Sequence, residues 1–408
     1  METIRTTCCI AGGGPAGMML GMLLARAGID VVVLEKHADF LRDFRGDTIH
    51  PSTLEVMHEL GLLGELLRRR HQKVYRLNAQ FGDETLTIAD FSHMPVHCPC
   101  IVFMPQWDFL DFIASVGRRY AGFRLMMNAE VTDVIEENGA VVGVRVESGQ
   151  GPIDIRAQLV VGADGRHSTV RDRAGLTVLN LGAPMDVLWF RLSKSPRDPT
   201  DSMGKFGDGH IFVMIDRGDY WQVGYVIPKG SADRVHAVGL EAFRAEVAAS
   251  APFAADRVNE LADWDQIKLL TVGVDRLERW HRPGLLCIGD AAHTMSPVGG
   301  VGINLAIQDA VAASNILAEP LRAGSVTDGD LQRVQRRRML PTRLTQRFQV
   351  IVQDRIITRV LGSRAKVQVP GLVRWMQRIP MLRRIPARMI GMGVRPEHVR
   401  TPAVAPVR

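Results

Sequence analysis

Apolar runs and glycines alternate at the start of the chain in the order that a βαβ unit requires. The segment Thr7–Ala11 and the largely apolar segment Asp30–Glu35 each predict a buried strand. Between them, glycines at 12–17 indicate a loop, and Pro15–Ala27 has the composition of a helix. We therefore expect two parallel strands joined by a helix at the N-terminus.

The rest of the chain continues this mixture of strands and helices. Apolar residues recur at helical spacing in five further segments: Pro51–Leu60, Leu62–Arg70, Gln106–Tyr120, Leu240–Ala249 and Val301–Leu317. Short apolar runs predict four further strands: Arg124–Val134, Val141–Glu147, Ile153–Val161 and Leu285–Ile288. Three more predict a second sheet: Val187–Leu192, Ile211–Ile215 and Trp221–Ile227. The region after residue 331 predicts helical stretches broken by four prolines: Pro341, Pro370, Pro380 and Pro386.

Composition places the chain among soluble globular proteins and excludes a coiled coil or a disordered polymer. It has 408 residues, 46% hydrophobic and 23% charged, which suits two domains with an appendage. The net charge of +6 is unevenly distributed, because residues 331–408 carry +16 and the preceding 330 residues carry −10. The basic segment would suit an anionic membrane, but we expect it to dock on the acidic body, since prolines interrupt it.

Other partners and compartments are less consistent with the sequence. The basic segment has only Phe348 and Trp375 as aromatic residues, so nucleic-acid binding is not expected. Five cysteines are too few and too irregular for a disulfide scaffold, and Cys98 and Cys100 lack the second pair that zinc needs. Free thiols in a cytoplasmic protein without a metal are therefore expected, and the oligomeric state stays open.

The N-terminal glycines have the spacing of a dinucleotide-binding loop. In Gly12-x-Gly14-x-x-Gly17, the first glycine permits the tight turn and the second permits close approach of a pyrophosphate. The third permits tight packing of the helix, whose N-terminal amides would face the phosphates. Glu35 ends the second strand, where an acid binds ribose hydroxyls, and we include the following Lys36 in the candidate site.

Two further motifs follow predicted strands and complete a pattern. The first reads Val161-Gly-Ala-Asp-Gly-Arg-His-Ser-Thr-Val-Arg171, and the second begins at Gly289-Asp-Ala-Ala-His and runs to Asn304. Asp290 at a strand end could accept a hydrogen bond from a ribityl chain. The glycines at 299, 300 and 302 would expose amides ahead of a helix.

With these three motifs in this order, residues 4–320 resemble the class A flavoprotein aromatic hydroxylases, the para-hydroxybenzoate hydroxylase-like group. The resemblance implies FAD as cofactor and NADH or NADPH as electron donor. Matching each motif implies the following cofactor-binding residues: Gly12, Gly14, Gly17 and Glu35; Asp164, Gly165 and Arg171; and Asp290, Pro297, Gly300, Gly302 and Asn304. Three more positions resemble family residues near the cofactor: Arg45, Gln106 and Val131.

One segment departs from the family pattern. After Arg45 the sequence reads Gly46-Asp-Thr-Ile-His50, where relatives have small residues. Asp47 and His50 could act as acid–base groups beside the substrate, or they could cap the helix that begins near Pro51, and we favour capping. With Pro297 of the third motif, they are the candidate catalytic residues.

The resemblance also gives the expected architecture, an α/β fold in three parts. A Rossmann-like FAD-binding domain would comprise residues 1–72, 101–180 and 271–330. A mixed-sheet substrate domain would comprise residues 73–100 and 181–270. A basic helical region would comprise residues 331–408.

The expected activity is hydroxylation of a phenolic or polycyclic aromatic substrate with O₂, through a flavin hydroperoxide, as the resemblance implies. The pocket would lie against the second sheet, with these candidate lining residues: Trp189, Met214, Trp221 and Gln222. Strand alternation leaves open which face of that sheet is used. Two alternatives remain: a flavin-dependent reductase or oxidase of a lipid or natural product, and a non-catalytic FAD-holding membrane partner protein.

Overall fold

The computed structural model describes most of the chain, with short gaps. The described residues are 2–41, 48–82, 84–199, 202–207, 209–362, 371, 374 and 379–407. Within them, the strands form four sheets, two large and two small. Arg45 and Asp47 lie outside the described residues, so no contact is assigned to either.

The helices and strands have the following bounds. The strands are β1 Glu2–Ala11, β2 Val31–Leu34, β3 Thr48–Ile49, β4 Gln72–Val74, β5 Arg76–Phe81, β6 Glu84–Asp90, β7 Ile101–Phe103, β8 Phe123–Met126, β9 Ala129–Glu137, β10 Ala140–Ser148, β11 Gly151–Gly162, β12 Val178–Asn180, β13 Met185–Ser193, β14 Met203–Gly207, β15 His210–Asp216, β16 Tyr220–Pro228, β17 Lys268–Leu270, β18 Asp275–Leu277, β19 His281–Arg282, β20 Leu285–Cys287 and β21 His293–Thr294. The α-helices are α1 Pro15–Arg26, α2 Pro51–Glu59, α3 Leu63–Leu66, α4 Gln106–Gly117, α5 Thr169–Arg173, α6 Ala232–Val238, α7 Leu240–Ser250, α8 Gly302–Arg322, α9 Asp328–Val352, α10 Thr358–Leu361 and α11 Arg384–Gly391.

The first large sheet is a Rossmann-like sheet with a hairpin attached. Its main path runs β19-β20-β11-β1-β2-β8, and β1 is parallel to both β2 and β11. The antiparallel strands β9 and β10 join it beside β11. Helix α1 is buried along nearly its whole length, and its many glycine, alanine and methionine residues let it lie close to the sheet and to α8.

The second large sheet has the order β17-β13-β16-β15-β14-β5-β6. It is mixed, because β14 runs parallel to β5 and its other pairs are antiparallel. The predicted α/β class, with a Rossmann-like unit, a second mixed sheet and C-terminal helices, is confirmed. The domain boundaries proposed from the sequence stay a prediction.

Two local predictions need correction in the first half of the chain. The single strand expected at Arg124–Val134 is divided into β8 and β9, because Asn128 adopts a left-handed backbone with φ of 51°. The turn moves the chain from the parallel sheet into the β9–β10 hairpin. The helix expected at Leu62–Arg70 is only the four residues of α3.

Helix α9 passes through Pro341, which we had expected to break it. A proline inside a helix costs about 3 kcal/mol, because it removes one hydrogen bond and crowds the preceding turn. Here buried contacts hold the helix on both sides of the proline. Arg338 is bonded to Asp309 of α8, and the Gln346 side chain bonds to backbone oxygens of Asp275 and Thr294. These tertiary contacts outweigh the local cost.

Helix α8 is the one helix among the described residues that is long and apolar enough to cross a membrane by composition. Its apolar window, within Val298–Arg322, is 72% buried inside the protein. The helix packs against α1, α2 and α9. It is therefore a core helix of this fold.

The described residues after α11 dock against helices α1 and α9. Arg26 donates to the Thr401 carbonyl at 3.0 Å, and the Val404 amide donates back to the Arg26 carbonyl at 2.8 Å. Glu397 receives hydrogen bonds from Arg337 and Arg338 of α9. Part of the apolar and basic segment before α11, namely Leu372, Trp375, Met376 and Arg378, lies outside the described residues.

Candidate active site

The glycine loop between β1 and α1 is shaped by contacts that only glycine allows. Gly12 has φ of 107°, and a Cβ there would lie 2.3 Å from the Ala163 carbonyl oxygen. A Cβ on Gly17 would lie 2.0 Å from the Gly12 oxygen, so α1 rests directly on the loop. A Cβ on Gly14 would meet nothing within 4 Å. The space in front of the α1 N-terminus is therefore open to a phosphate group.

Glu35 lies directly after β2 and is bonded to this loop. One carboxylate oxygen accepts a hydrogen bond from the Gly13 amide at 3.1 Å, and the other accepts from the His37 amide at 3.1 Å. The neighbouring Lys36 points to Glu130 instead, with 3.9 Å between the ammonium and the carboxylate. Val131, the residue after Glu130, is buried in the same strand, β9.

The second motif forms a compact turn before α5. The Asp164 carboxylate accepts from the Ser168 hydroxyl at 2.5 Å and from the Val170 amide at 3.1 Å. Burial raises the pKa of Asp164, although these hydrogen bonds oppose the rise. The buried Arg171 guanidinium donates to Asp172 and to the Arg166 carbonyl.

These contacts stabilise the turn itself. Gly165 adopts φ of 88°, and a Cβ there would meet nothing within 4 Å, so backbone is presented to open space. The predicted cofactor roles of Asp164, Gly165 and Arg171 remain predictions.

The third motif is fixed by Asp309, a buried carboxylate of α8. It accepts from the Gly289 amide at 3.1 Å and bonds to the His293 ring at 2.6 Å. Its other oxygen accepts from Arg338 of α9 at 2.8 Å. Burial alone would raise the pKa of Asp309, but His293 and Arg338 hold it below its usual value. The turn that carries Asp290 is thus anchored to both helices.

Asn304 connects the glycine-rich end of this motif to β3. Its amide nitrogen donates to the carbonyls of Thr48 at 3.0 Å and Gly300 at 3.3 Å. Its amide oxygen accepts from the His50 backbone and from the Thr53 hydroxyl, both at 2.8 Å. The Asn304 side chain therefore holds the loop before α8 against β3 and α2.

The loop itself begins at Pro297 and turns at two glycines. Gly299 and Gly300 have φ of 79° and 61°, and a Cβ on Gly300 would lie 2.4 Å from the Thr48 hydroxyl oxygen. Gly302 begins α8, and Gln106 begins α4. The positive φ values turn the backbone immediately before α8. The Gly300 amide donates to the Pro297 carbonyl at 3.0 Å, so the amides that can face a negatively charged ligand are those at the start of α8.

His50 occupies the N-cap position of α2, but its side chain does not cap the helix. The capping interpretation is therefore wrong for His50. The Nδ1 atom lies 2.8 Å from the Ile390 carbonyl of α11, so it carries the proton and donates. The Nε2 atom is buried and has no hydrogen-bond partner among the described residues. Burial lowers the pKa of this imidazole to about 4.

This burial predicts a pH dependence of stability. The folded His50 has a pKa below the ordinary 6.5, so the unfolded chain binds the extra proton and stability falls as pH falls through 6.5 towards 4. Between pH 7 and pH 5 this group should remove about 2 kcal/mol from the free energy of unfolding. Urea unfolding at the two pH values should show this loss in the native chain and a smaller one in His50→Gln. Equal losses in both proteins would refute the assignment.

The two faces of the second sheet have different neighbours. One face packs on α7 in a single apolar cluster that includes Phe190, Phe212, Met214, Trp221, Tyr225, Phe243 and Val247. The other face packs on α10 and on Val298 of the third motif. It includes Val187, Trp189, Ile211, Val213 and Val226. The structure therefore separates Met214 and Trp221 from Trp189 and Gln222.

A continuous set of contacts joins the loop before α8 to this second face. The Thr48 hydroxyl donates to the Gly300 carbonyl at 2.9 Å, and Thr48 pairs with Phe103 between β3 and β7. The Arg217 guanidinium lies 5.7 Å from the Phe103 ring centroid. Its Nε donates to Gln222 at 3.0 Å, and both side chains are buried. A buried cation thus lies beside the face that points towards the third motif.

Sequence reasoning missed three residues of this region: Thr48, Asp309 and Arg338. A signal existed for Asp309, because it is a lone acid inside the apolar run of α8 and such a residue is rarely buried without a partner. Its partners could not be found, because they come from β21 and α9, 16 and 29 residues away.

Residues 5–347 match the protein family described as FAD binding domain. The chain belongs to this family. The match includes all three glycine motifs, so the predicted relationship to flavoprotein aromatic hydroxylases is confirmed. FAD is the cofactor, and the open space at Gly14, the acid at Glu35 and the free helix terminus fit its ADP half.

Two curated relatives and one solved structure show how near the resemblance is. The 6-methylpretetramide 4-monooxygenase of Streptomyces rimosus is 33% identical over 97% of this chain and 94% of that protein. The dialkyldecalin synthase of Streptomyces rugosporus is 30% identical over 75% of this chain and 63% of that protein. The OxyS anhydrotetracycline hydroxylase structure from Streptomyces rimosus has a TM-score of 0.75 at 23% identity, covering 96% of this chain and 77% of that chain, and shows a common fold.

Proposed function

We propose that this protein uses NADH or NADPH and O₂ to hydroxylate a polycyclic aromatic substrate. The observation that carries the proposal is the 33% identity with a monooxygenase named for 6-methylpretetramide, which extends over nearly the full length of both chains. The family and the cofactor stand independently of it. The ring system, the electron donor and the binding face are the proposed parts.

Bound FAD would supply electron transfer from the nicotinamide and activation of O₂. The chain's own residues would hold and orient it. Glu35 would accept hydrogen bonds from the ribose, and the first amides of α1 would hold the pyrophosphate. Asp290 would accept from the ribityl chain. The amide of Gly299 and the first amides of α8 would face the flavin ring, because the Gly300 amide already donates to the Pro297 carbonyl.

The substrate would lie between that loop and the sheet face that carries Trp189 and Gln222. Packing around Val298 supports this placement, because this face meets the loop directly. Trp189 would contact an extended ring system, and the Arg217–Gln222 pair would bind a phenolate or carboxylate oxygen of the substrate. The buried His50 ring is neutral and its Nε2 atom could accept a hydrogen bond from a phenolic hydroxyl, but its lowered pKa makes it a poor base for the proton itself.

The deciding experiment is turnover of one- to four-ring phenols by the FAD-loaded protein under ¹⁸O₂. We expect NAD(P)H oxidation that is stoichiometric with a product carrying one labelled oxygen. Peroxide without labelled product would identify a reductase or oxidase. No NAD(P)H oxidation with any phenol would favour a non-catalytic FAD-holding protein.

One observation favours a second candidate, a flavoprotein that builds a carbon skeleton without inserting oxygen. It is the 30% identity with a protein named as a dialkyldecalin synthase. This candidate predicts a product with the mass of its substrate and no label from O₂, so the same experiment separates the two.

We also expect the substrate to control flavin reduction. Reduction before substrate arrives would waste the donor as peroxide, so the NAD(P)H reduction rate should rise when a verified substrate is bound. Anaerobic stopped-flow absorbance measures both rates. Identical rates with and without substrate would contradict this expectation.

A cytoplasmic location belongs to the same proposal. All five cysteines are buried free thiols, which suits a reducing compartment. The partners are accordingly a small aromatic molecule and O₂.

A further inference from the structure

Helix α9 exposes a row of large apolar side chains. Leu340, Leu344, Phe348 and Ile351, the α9 stripe, are each 38–49% exposed. Their spacing of four, four and three residues puts them on one side of the helix. Single exposed apolar residues need no explanation, but four in line over about 16 Å form a contiguous surface.

The same helix carries positive charge and no negative charge beside the stripe. Leu331–Gln353 contains six arginines and neither aspartate nor glutamate. Arg336, Arg343 and Arg347 are exposed, and each lies three or four residues from a member of the stripe. Within the described ranges, none of these three arginines forms an ion pair.

We infer that the α9 stripe binds an anionic membrane surface, with the helix lying in the plane of the interface. The apolar side chains would enter the acyl boundary, and the adjacent guanidinium groups would remain at the level of the lipid phosphates. Charge complementarity decides the occupant, because the unpaired arginines need anions and the stripe needs apolar contact. An anionic bilayer offers both along the whole helix.

A second copy of the chain meets these needs poorly. Two α9 helices packed through their stripes would bring Arg343 and Arg347 of both copies together without any acid between them, and like charges repel.

The membrane inference differs from our expectation that the basic region docks entirely on the body. It arises because α9 continues through Pro341 and leaves one side uncovered.

A second group of exposed apolar residues near α11 has similar neighbours. Ile379, Met381, Ile385 and Met389 are exposed close to Arg383 and Arg384. This group serves as an internal comparison, since it also combines exposed apolar residues with arginines, at a different place. It shows whether any exposed apolar and basic segment suffices or whether α9 itself is required.

The test is co-sedimentation of the FAD-loaded protein with two kinds of vesicle. One contains only phosphatidylcholine, and the other contains about one third phosphatidylserine. We expect binding to the anionic vesicles that weakens with salt, and little binding to the neutral ones.

Leu344→Gln with Phe348→Gln should weaken binding to the anionic vesicles at least about tenfold. Arg343→Gln with Arg347→Gln should weaken it roughly 30-fold and reduce the salt dependence.

Matched controls keep the result interpretable. Val238→Gln with Leu269→Gln removes two apolar residues outside α9 that are more exposed than Leu344 and Phe348, and it should leave binding unchanged. FAD content and NAD(P)H oxidation in vesicle-free solution should match the native chain in all variants, which excludes misfolding.

Three results would overturn the inference. The first is that the native chain does not bind anionic vesicles. The second is that binding survives both pairs of α9 substitutions, at Leu344 and Phe348 and at Arg343 and Arg347. The third is that binding is lost only in the Met381→Gln with Ile385→Gln variant. Self-association that the Leu344 and Phe348 substitutions abolish, without vesicle binding, would assign the stripe to a second copy instead.

Discussion

Replacing Asp309 by asparagine is expected to lower the free energy of unfolding by about 3–5 kcal/mol. The carboxylate is fully buried and bonded to His293, Arg338 and the Gly289 amide. Asparagine has nearly the same volume, so the loss would come from removing the charge that Arg338 and His293 contact inside the protein, rather than from a cavity. Glu397, 3.4 Å from Arg338, would remain as the second carboxylate. Urea unfolding of the FAD-free protein at pH 7 measures it without a contribution from cofactor binding.

The control is an ion pair of the same type at the surface. Asp219 lies 2.9 Å from Arg70, and both side chains are more than 60% exposed. Asp219→Asn should change the free energy of unfolding by less than about 1 kcal/mol. Similar losses in the two variants would show that burial does not set the strength of the Asp309 network.

Replacing Glu35 by alanine should weaken FAD binding by about 3 kcal/mol, or roughly 150-fold in Kd. The substitution removes the acceptor for the ribose hydroxyls. It also frees the Gly13 amide, which Glu35 holds at 3.1 Å, so the phosphate loop loses a support. Isothermal titration of the apoprotein with FAD gives the constant directly.

A neighbouring acid provides the comparison for this experiment. Glu130 is exposed, and its carboxylate lies 3.9 Å from the Lys36 ammonium. Glu130→Ala should therefore leave the Kd for FAD within about twofold of the native value. A Glu35→Ala protein that keeps native affinity would remove Glu35 from the cofactor site.

The glycine loop could be predicted because its requirements are local. Within six residues, Gly12 turns the backbone, Gly14 leaves space for a phosphate, and Gly17 lets α1 lie against the loop. Their spacing alone therefore indicates the loop. The parallel pairing of β1 with β2 follows from the same βαβ unit. The α/β class was accessible for this reason, whereas the family and the cofactor were implied by the resemblance that the three motifs carry together.

The substrate side could not be predicted with the same detail. Strand alternation places Trp189 and Gln222 on one face of the sheet and Met214 and Trp221 on the other. It does not show which face lies against the third motif. The choice of face depends on α7, which comes later in the chain and covers the face that carries Trp221. The burial of Arg217 beside Phe103 depends likewise on β7, more than 100 residues earlier.

The sequence by itself determined the dinucleotide loop, since that loop rests on short-range backbone geometry. It also determined the FAD-binding family, through the resemblance of three motifs in their order. Tertiary structure alone decided that His50 bonds to Ile390 instead of capping α2, and that Asn304 joins the third motif to β3. It also decided that α9 survives Pro341. In each case, partners distant in sequence contribute more free energy than the local preference of the residue, and a local pattern holds no information about them.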